Sequence, residues 1–92
     1  METTNIMYND WTMNVQDDGT ITVTLNDEAR TYKIDEKIKE VNQTDEYVMI
    51  FVEGGLTYQF KFEENDFLVG DIYRTSTGDF MDTFAHHVFG EL

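Results

Sequence analysis

WTMNVQDDGTITVTL, residues 11–25, is the stretch that decides the fold class. Trp11, Met13 and Val15 alternate with Thr12 and Asn14; Ile21, Val23 and Leu25 alternate with Thr20, Thr22 and Thr24. Alternation with a period of two puts the apolar set on one strand face and the polar set on the other. Asp17-Asp18-Gly19 between the two runs reads as a turn, with Gly19 able to take positive φ. The stretch is therefore a half-buried antiparallel hairpin with a Thr-rich outer face.

Working outward, residues 26–30 read as the next turn and residues 31–34 as a third strand. Residues 35–45 are ambiguous: Ile34, Ile38 and Val41 fit a short helical face, a bulged strand or an irregular extended connection, and the last is favoured. Residues 46–53 are apolar on both faces, Tyr47, Met49 and Phe51 against Val48, Ile50 and Val52, which predicts a central strand covered on both sides. Gly54-Gly55 supplies a tight turn. Leu56, Tyr58, Phe60 and Phe62 then alternate with Thr57, Gln59, Lys61 and Glu63, and residues 67–74 form a further strand.

Near the C-terminus the period changes. Phe80, Met81, Phe84, Ala85, Val88 and Phe89 fill one half of a helical wheel, with Asp79, Asp82, Thr83, His86 and His87 opposite. Thr77 or Asp79 is placed to cap the start of such a helix and Gly90 its end. The expected fold class is α+β, mainly β: an antiparallel meander of about six strands, open or curled into a half-barrel, with one C-terminal helix packed on it.

Residues 1–92 are read as a single domain, the size at which a chain folds alone with a modest margin. Cys is absent, which excludes disulfides, thiolate metal sites and a cysteine nucleophile. No basic region followed by an apolar run opens the chain, and the longest apolar run, Val48 to Val52, is far too short to span a bilayer. A cytoplasmic location is the expectation.

Charge is the strongest compositional signal: 19 acids against 6 Lys and Arg give a net charge of -13. A compact chain of this length is ~30 Å across. Duplex DNA carries ~18 charges over that length, so the protein approaches seven-tenths of duplex charge density. Such a field steers basic partners and repels nucleic acid and anionic membranes. The same surplus also serves plain solubility. The acids come in pairs at expected turns and strand ends: Asp17 and Asp18, Asp27 and Glu28, Asp35 and Glu36, Asp45 and Glu46, Glu63 and Glu64 with Asp66. Alternate residues on a strand face lie ~7 Å apart, so such acids can form a phosphate-like row.

Catalytic readings are thin. Ser76 is the only serine and has no nucleophile elbow around it. His86 and His87 are neighbours that point ~100° apart on a helix, which a single ion does not bridge easily. Asp82 and His86, four apart, suit a surface pair on that helix. A weak calcium site near Asp17 and Asp18, or near Glu63, Glu64 and Asp66, lacks the loop pattern of a built one. Tyr47, Tyr58, Phe60 and Phe62 suit core packing better than a ligand cavity in so short a chain. No catalytic residue, metal or cofactor is assigned.

In size, acidity and lack of Cys the chain resembles small phage-encoded anti-defence inhibitors: DNA-mimic anti-restriction proteins, uracil-DNA glycosylase inhibitors and anti-CRISPR proteins. The resemblance lies in overall character and carries no residue roles. It implies a mechanism, occupation of the basic nucleic-acid groove of a host protein. The expected partner is a basic nucleic-acid-binding protein or nuclease complex, bound by the eleven paired acids of a monomer or homodimer in the host cytoplasm. The competing reading is a small β-fold ligand-binding or assembly module with no catalytic activity, in which the Phe80, Phe84 and Phe89 stripe is the contact.

Overall fold

A computed structural model describes residues 3–8 and 10–90. The strands are β1 (Thr3–Tyr8), β2 (Trp11–Gln16), β3 (Thr20–Leu25), β4 (Glu28–Lys33), β5 (Ile38–Gln43), β6 (Val48–Val52), β7 (Leu56–Glu63), β8 (Phe67–Arg74) and β9 (Phe80–Val88). They form two antiparallel sheets, β1-β2-β3-β4 and β5-β6-β7-β8-β9, each with its strands in chain order. The described residues contain no α-helix, only a 3-10 turn at Glu64–Asp66. None of their helices is long and apolar enough to cross a membrane.

The two sheets pack face to face. Trp11, Met13 and Val15 of β2 and Ile21, Val23 and Leu25 of β3 share one buried cluster with Val48, Ile50, Tyr58, Phe60 and Leu68 of the second sheet. Trp11 meets Phe62 across the interface with ring centroids 4.8 Å apart, and Tyr32 lies 6.2 Å from Phe60 and 6.0 Å from Phe84. Burying each aliphatic or aromatic side chain contributes ~1.5–3 kcal/mol, and two sheets of alternating strands supply enough of them.

The first hairpin matches its reading: Trp11 pairs with Leu25, Met13 with Val23 and Val15 with Ile21, all six buried. Gly19 has φ +97°, and its N–H bonds to the Gln16 carbonyl at 3.0 Å. Leu56, Tyr58, Phe60 and Phe62 face the core of the second sheet as their alternation requires.

Several expectations are corrected. The fold is not α+β, and there is no single six-strand meander or half-barrel, because the chain makes nine strands in two sheets. One of the additional strands, β1, lies in a stretch whose apolar residues carry little pattern. The third strand starts earlier than residue 31: Asn26 and Asp27 alone turn the chain, both with positive φ (52° and 65°), so β4 begins at Glu28. Two left-handed residues between paired strands are the tight turn whose twist matches a hairpin. Residues 35–45 are not an irregular connection. They contain β5, with a register shift between Ile38 and Glu40 that makes it the bulged strand.

The C-terminal helix is a strand. The β8–β9 ladder shifts register twice, between Gly70 and Asp71 and between Ile72 and Tyr73. At the first shift Phe84 is the extra residue, so both it and Ala85 turn towards the core: Ala85 is 3% exposed and Phe84 packs edge-on against Tyr58 and Phe60. Each bulge advances the alternation by one residue. Two bulges in nine residues turn a period of two into the paired pattern that imitates a helix. The proposed caps act as turn chemistry instead: the Thr77 hydroxyl accepts the Asp79 N–H at 3.3 Å, and Gly90 lies past the strand end with φ +78°.

Strand β6 is not covered on both sides. Its Val48, Ile50 and Val52 are buried, whereas Met49 and Phe51 face outward and are only partly buried.

Candidate functional site

Antiparallel strands in chain order throw their turns alternately to two ends of the sandwich. One end holds Asp10, the Asn26–Asp27 turn, residues 44–47, residues 64–66 and the chain after Val88. The other holds residues 17–19, 34–37, 53–55 and 75–79.

Hydrogen bonds between turns knit each end. At the first, Asn26 Nδ2 donates to Asp66 Oδ2 at 3.4 Å, Phe89 N to the Asp66 carbonyl at 3.0 Å, and Gly90 N to Glu28 Oε1 at 2.9 Å. Gln43 Nε2 reaches the Met7 carbonyl at 3.4 Å. At the second, Ile34 N donates to the Gly19 carbonyl at 2.8 Å, Ile38 N to that of Asp17 at 3.3 Å, and Glu53 N to that of Lys37 at 3.1 Å.

The eleven acids of the expected row divide between these ends. Asp27, Glu28, Asp45, Glu46, Glu63, Glu64 and Asp66 gather at the first, joined by Asp10, which the pairing pattern overlooked. No Lys or Arg lies in the described turns there, and the neighbouring cations, Arg30 and Lys61, belong to strands. Asp17, Asp18, Asp35 and Glu36 lie at the second end with Glu53 and Asp79, interleaved with Lys33, Lys37, Lys39 and Arg74. The acids are not a row along one strand face. Alternate hairpin turns in a sheet lie two strand spacings apart, ~10 Å, and the sheets themselves are ~10 Å apart. The first end is thus a grid of acidic turns.

Some of these carboxylates are engaged within the chain. The Gly90 N–H, and after it His87 Nε2, hold Glu28 below the ordinary carboxylate range. The Thr20 N–H, at 2.9 Å from Oδ1, chiefly lowers Asp18, and Lys33 Nζ lies 3.7 Å from its Oδ2. Lys61 Nζ bridges to Glu63 Oε1 at 3.2 Å. Asp27, Asp45, Glu46 and Glu64 are exposed on the acidic end.

The chemistry-bearing side chains do not converge. Ser76 lies in the β8–β9 turn, while His86 and His87 lie at the far end of β9, ~20 Å away at strand rise. Neighbours on a strand point to opposite faces, more divergent than the helical reading had them. His86 faces outward against Phe67 with ring centroids 4.6 Å apart, and His87 turns inward to Glu28. Asp82 and His86 are therefore not a helical pair, and Asp82 Oδ1 instead accepts the Thr83 N–H at 2.8 Å. Among the described residues no three His, Asp or Glu side chains come together to hold a metal ion. Tyr58 and Phe60 fill the core, 7% and 0% exposed.

No protein-family model, curated protein or solved structure matches the chain.

Proposed function

We propose that the protein is a polyanionic inhibitor that binds a basic nucleic-acid-binding protein or nuclease complex and occludes its nucleic-acid groove, in the manner of phage anti-defence proteins. The observation that carries the reading is the segregation of charge: eight acids share one end of the sandwich, and its described turns carry no Lys or Arg. Carboxylates on tight, hydrogen-bonded turns are held in place before binding, so little entropy is lost in presenting them to a cationic groove. The field of this end orients the approach of a basic partner and raises the association rate. The second end has Lys37 in a turn and Lys33, Lys39 and Arg74 at the adjoining strand ends, four cations against the two, Arg30 and Lys61, near the first end, and is the poorer mimic.

The test is a pull-down from nuclease-treated lysate at low salt, followed by competition between the captured protein's nucleic acid and this chain. Reversing Asp27, Asp45 and Glu64 to Lys is expected to abolish competition, and reversing Asp17, Asp35 and Glu36 to Lys to leave most of it. Affinity falls steeply with salt. Equal loss from both sets, or binding indifferent to salt, overturns the reading.

A further inference from the structure

An antiparallel sheet with one solvated face turns polar residues outward. The four-stranded sheet obeys, presenting Thr12, Asn14, Thr22 and Thr24 on its outer face. The five-stranded sheet does not. The register of its ladders places Met49, Phe51, Phe67, Val69, Tyr73 and Phe80 on the outward side. Phe80 is 58% exposed and stacks edge-on against Tyr73 at 5.9 Å.

We infer that this outer face is the contact surface of a homodimer, and three observations select a second copy as its occupant. The first is charge. On a chain of net charge -13, the register leaves Glu40, Lys61, Glu63 and Asp71 as ionised residues on this face of the β5 to β8 strands, with Lys39 beside it at the β5 bulge, so the acids and cations nearly balance. Two identical polyanions meet with least repulsion where each is nearly neutral.

The second is self-complementarity, which a two-fold contact requires. Lys61, which also bridges to Glu63 on its own strand at 3.2 Å, and Asp71 carry opposite charges on adjacent strands, β7 and β8, so each can face the other's counterpart across a two-fold axis. Phe51 stands between two hollows: one of about 400 Å³ beside Lys39, Val52 and Gly55, the other of about 370 Å³ beside Met49, Gln59 and Tyr73. Phe80 and the hollow next to Tyr73 thus supply a projection and a recess on the same surface.

The third is size. Five strands at ~4.8 Å spacing, with about seven residues each at ~3.4 Å, give a footprint of ~550 Å². Side-chain relief raises its accessible area towards the ~800 Å² that each partner contributes to a standard interface. A face so nearly neutral offers little electrostatic gain to a basic peptide or to nucleic acid. The dimer leaves the turns of both copies uncovered, so it stands independently of the inhibitor reading.

Sedimentation velocity on the whole chain at ~100 μM, a concentration at which even a micromolar interface is occupied, tests this. The expected particle has twice the 10.8 kDa chain mass and forms more readily as salt is raised, because screening removes repulsion between the copies. Binding of the basic partner has the opposite salt dependence, so the two readings fail separately. Phe80→Lys, at an exposed position, is expected to return the protein to monomer with an unchanged circular dichroism spectrum. Lys61→Asp or Asp71→Lys weakens the dimer, and the two together restore it. A wild-type monomer at high salt, or a dimer that Phe80→Lys leaves intact, overturns the inference. So does a monomer that binds the apolar dye anilinonaphthalene sulfonate stoichiometrically on this face, which assigns the hollows to a small ligand.

Discussion

Gly70 lies opposite Phe60 in the β7–β8 ladder, and the edge of the Phe60 ring fills the space that a side chain at position 70 needs. A Cβ there would stand 2.8 Å from Phe60 Cε2 and 3.0 Å from the Ala85 Cβ, both in the packed core. Gly70→Ala is therefore expected to lower unfolding stability by ~1–3 kcal/mol, the cost of overpacking. Phe60→Leu costs stability alone but shrinks the penalty of Gly70→Ala when combined with it. Urea titration of the four proteins measures the coupling, and strict additivity refutes the contact.

Much of the β-structure was legible because alternation survives wherever one sheet face is buried, as in Trp11 to Leu25. It failed where local geometry breaks the period. Phe84 and Ala85 face the same way because of a bulge, and no residue type announces one. The number of sheets was illegible for a different reason. Hairpins declare their local pairing through turns such as Asn26-Asp27, but the break between β4 and β5 at residues 34–37 resembles another turn and becomes a sheet boundary only in three dimensions. The acids were correctly assigned to turns and strand ends. Their division between two ends needed the strand count, since one strand more or fewer exchanges the ends.

Gly19 carries a second steric prediction. Its φ is +97°, and a Cβ would come 2.0 Å from the Ile34 carbonyl oxygen, which is backbone and cannot move aside. Ile34 N also donates to the Gly19 carbonyl at 2.8 Å, so this approach joins the β2–β3 turn to the β4–β5 connection. Gly19→Ala is expected to destabilise more than Gly70→Ala, with strain added to the clash. Chemical denaturation ranks the two, and a neutral Gly19→Ala refutes the close approach.

Among the described residues the buried Tyr32 hydroxyl has no hydrogen-bond partner, although its ring is well packed between Phe60 and Phe84. A buried polar group left unsatisfied costs ~1–3 kcal/mol. Tyr32→Phe keeps the ring and removes the hydroxyl, so it is expected to hold or raise stability, by up to ~1 kcal/mol. A loss of more than that in thermal unfolding shows that the hydroxyl is bonded in solution.

Glu28 links stability to pH. The Gly90 N–H and His87 keep its folded-state pKa below the ordinary carboxyl value. A depressed carboxyl pKa means that the unfolded chain takes up the proton first as pH falls. The contribution is therefore complete above the ordinary value and is lost as pH drops through the depressed one. Glu28→Gln retains a carbonyl acceptor for Gly90 but no charge. Its deficit against wild type is expected to be constant near neutrality and to vanish in acid, read as melting temperature against pH. A deficit that persists below the carboxylate range assigns the effect to packing instead.

Self-repulsion acts in the other direction on the whole molecule. With a net charge of -13, and with Asp10, Asp27, Asp45, Glu46 and Glu64 crowded on turns at one end, the folded state brings like charges closer than the unfolded chain does. Added sodium chloride is expected to raise the melting temperature, because screening acts within ~10 Å at 0.1 M, the spacing of these turns. Replacing Asp45 and Glu46 with Asn and Gln relieves the same repulsion without salt, so the variant starts more stable and gains less from added salt. The corresponding change at Asp35 and Glu36 removes acids that already have Lys33, Lys37 and Lys39 nearby, and is expected to gain less or to lose stability. Melting curves of the two variants across a salt series separate the ends. Identical responses would mean that the cations of the second end do not offset its acids.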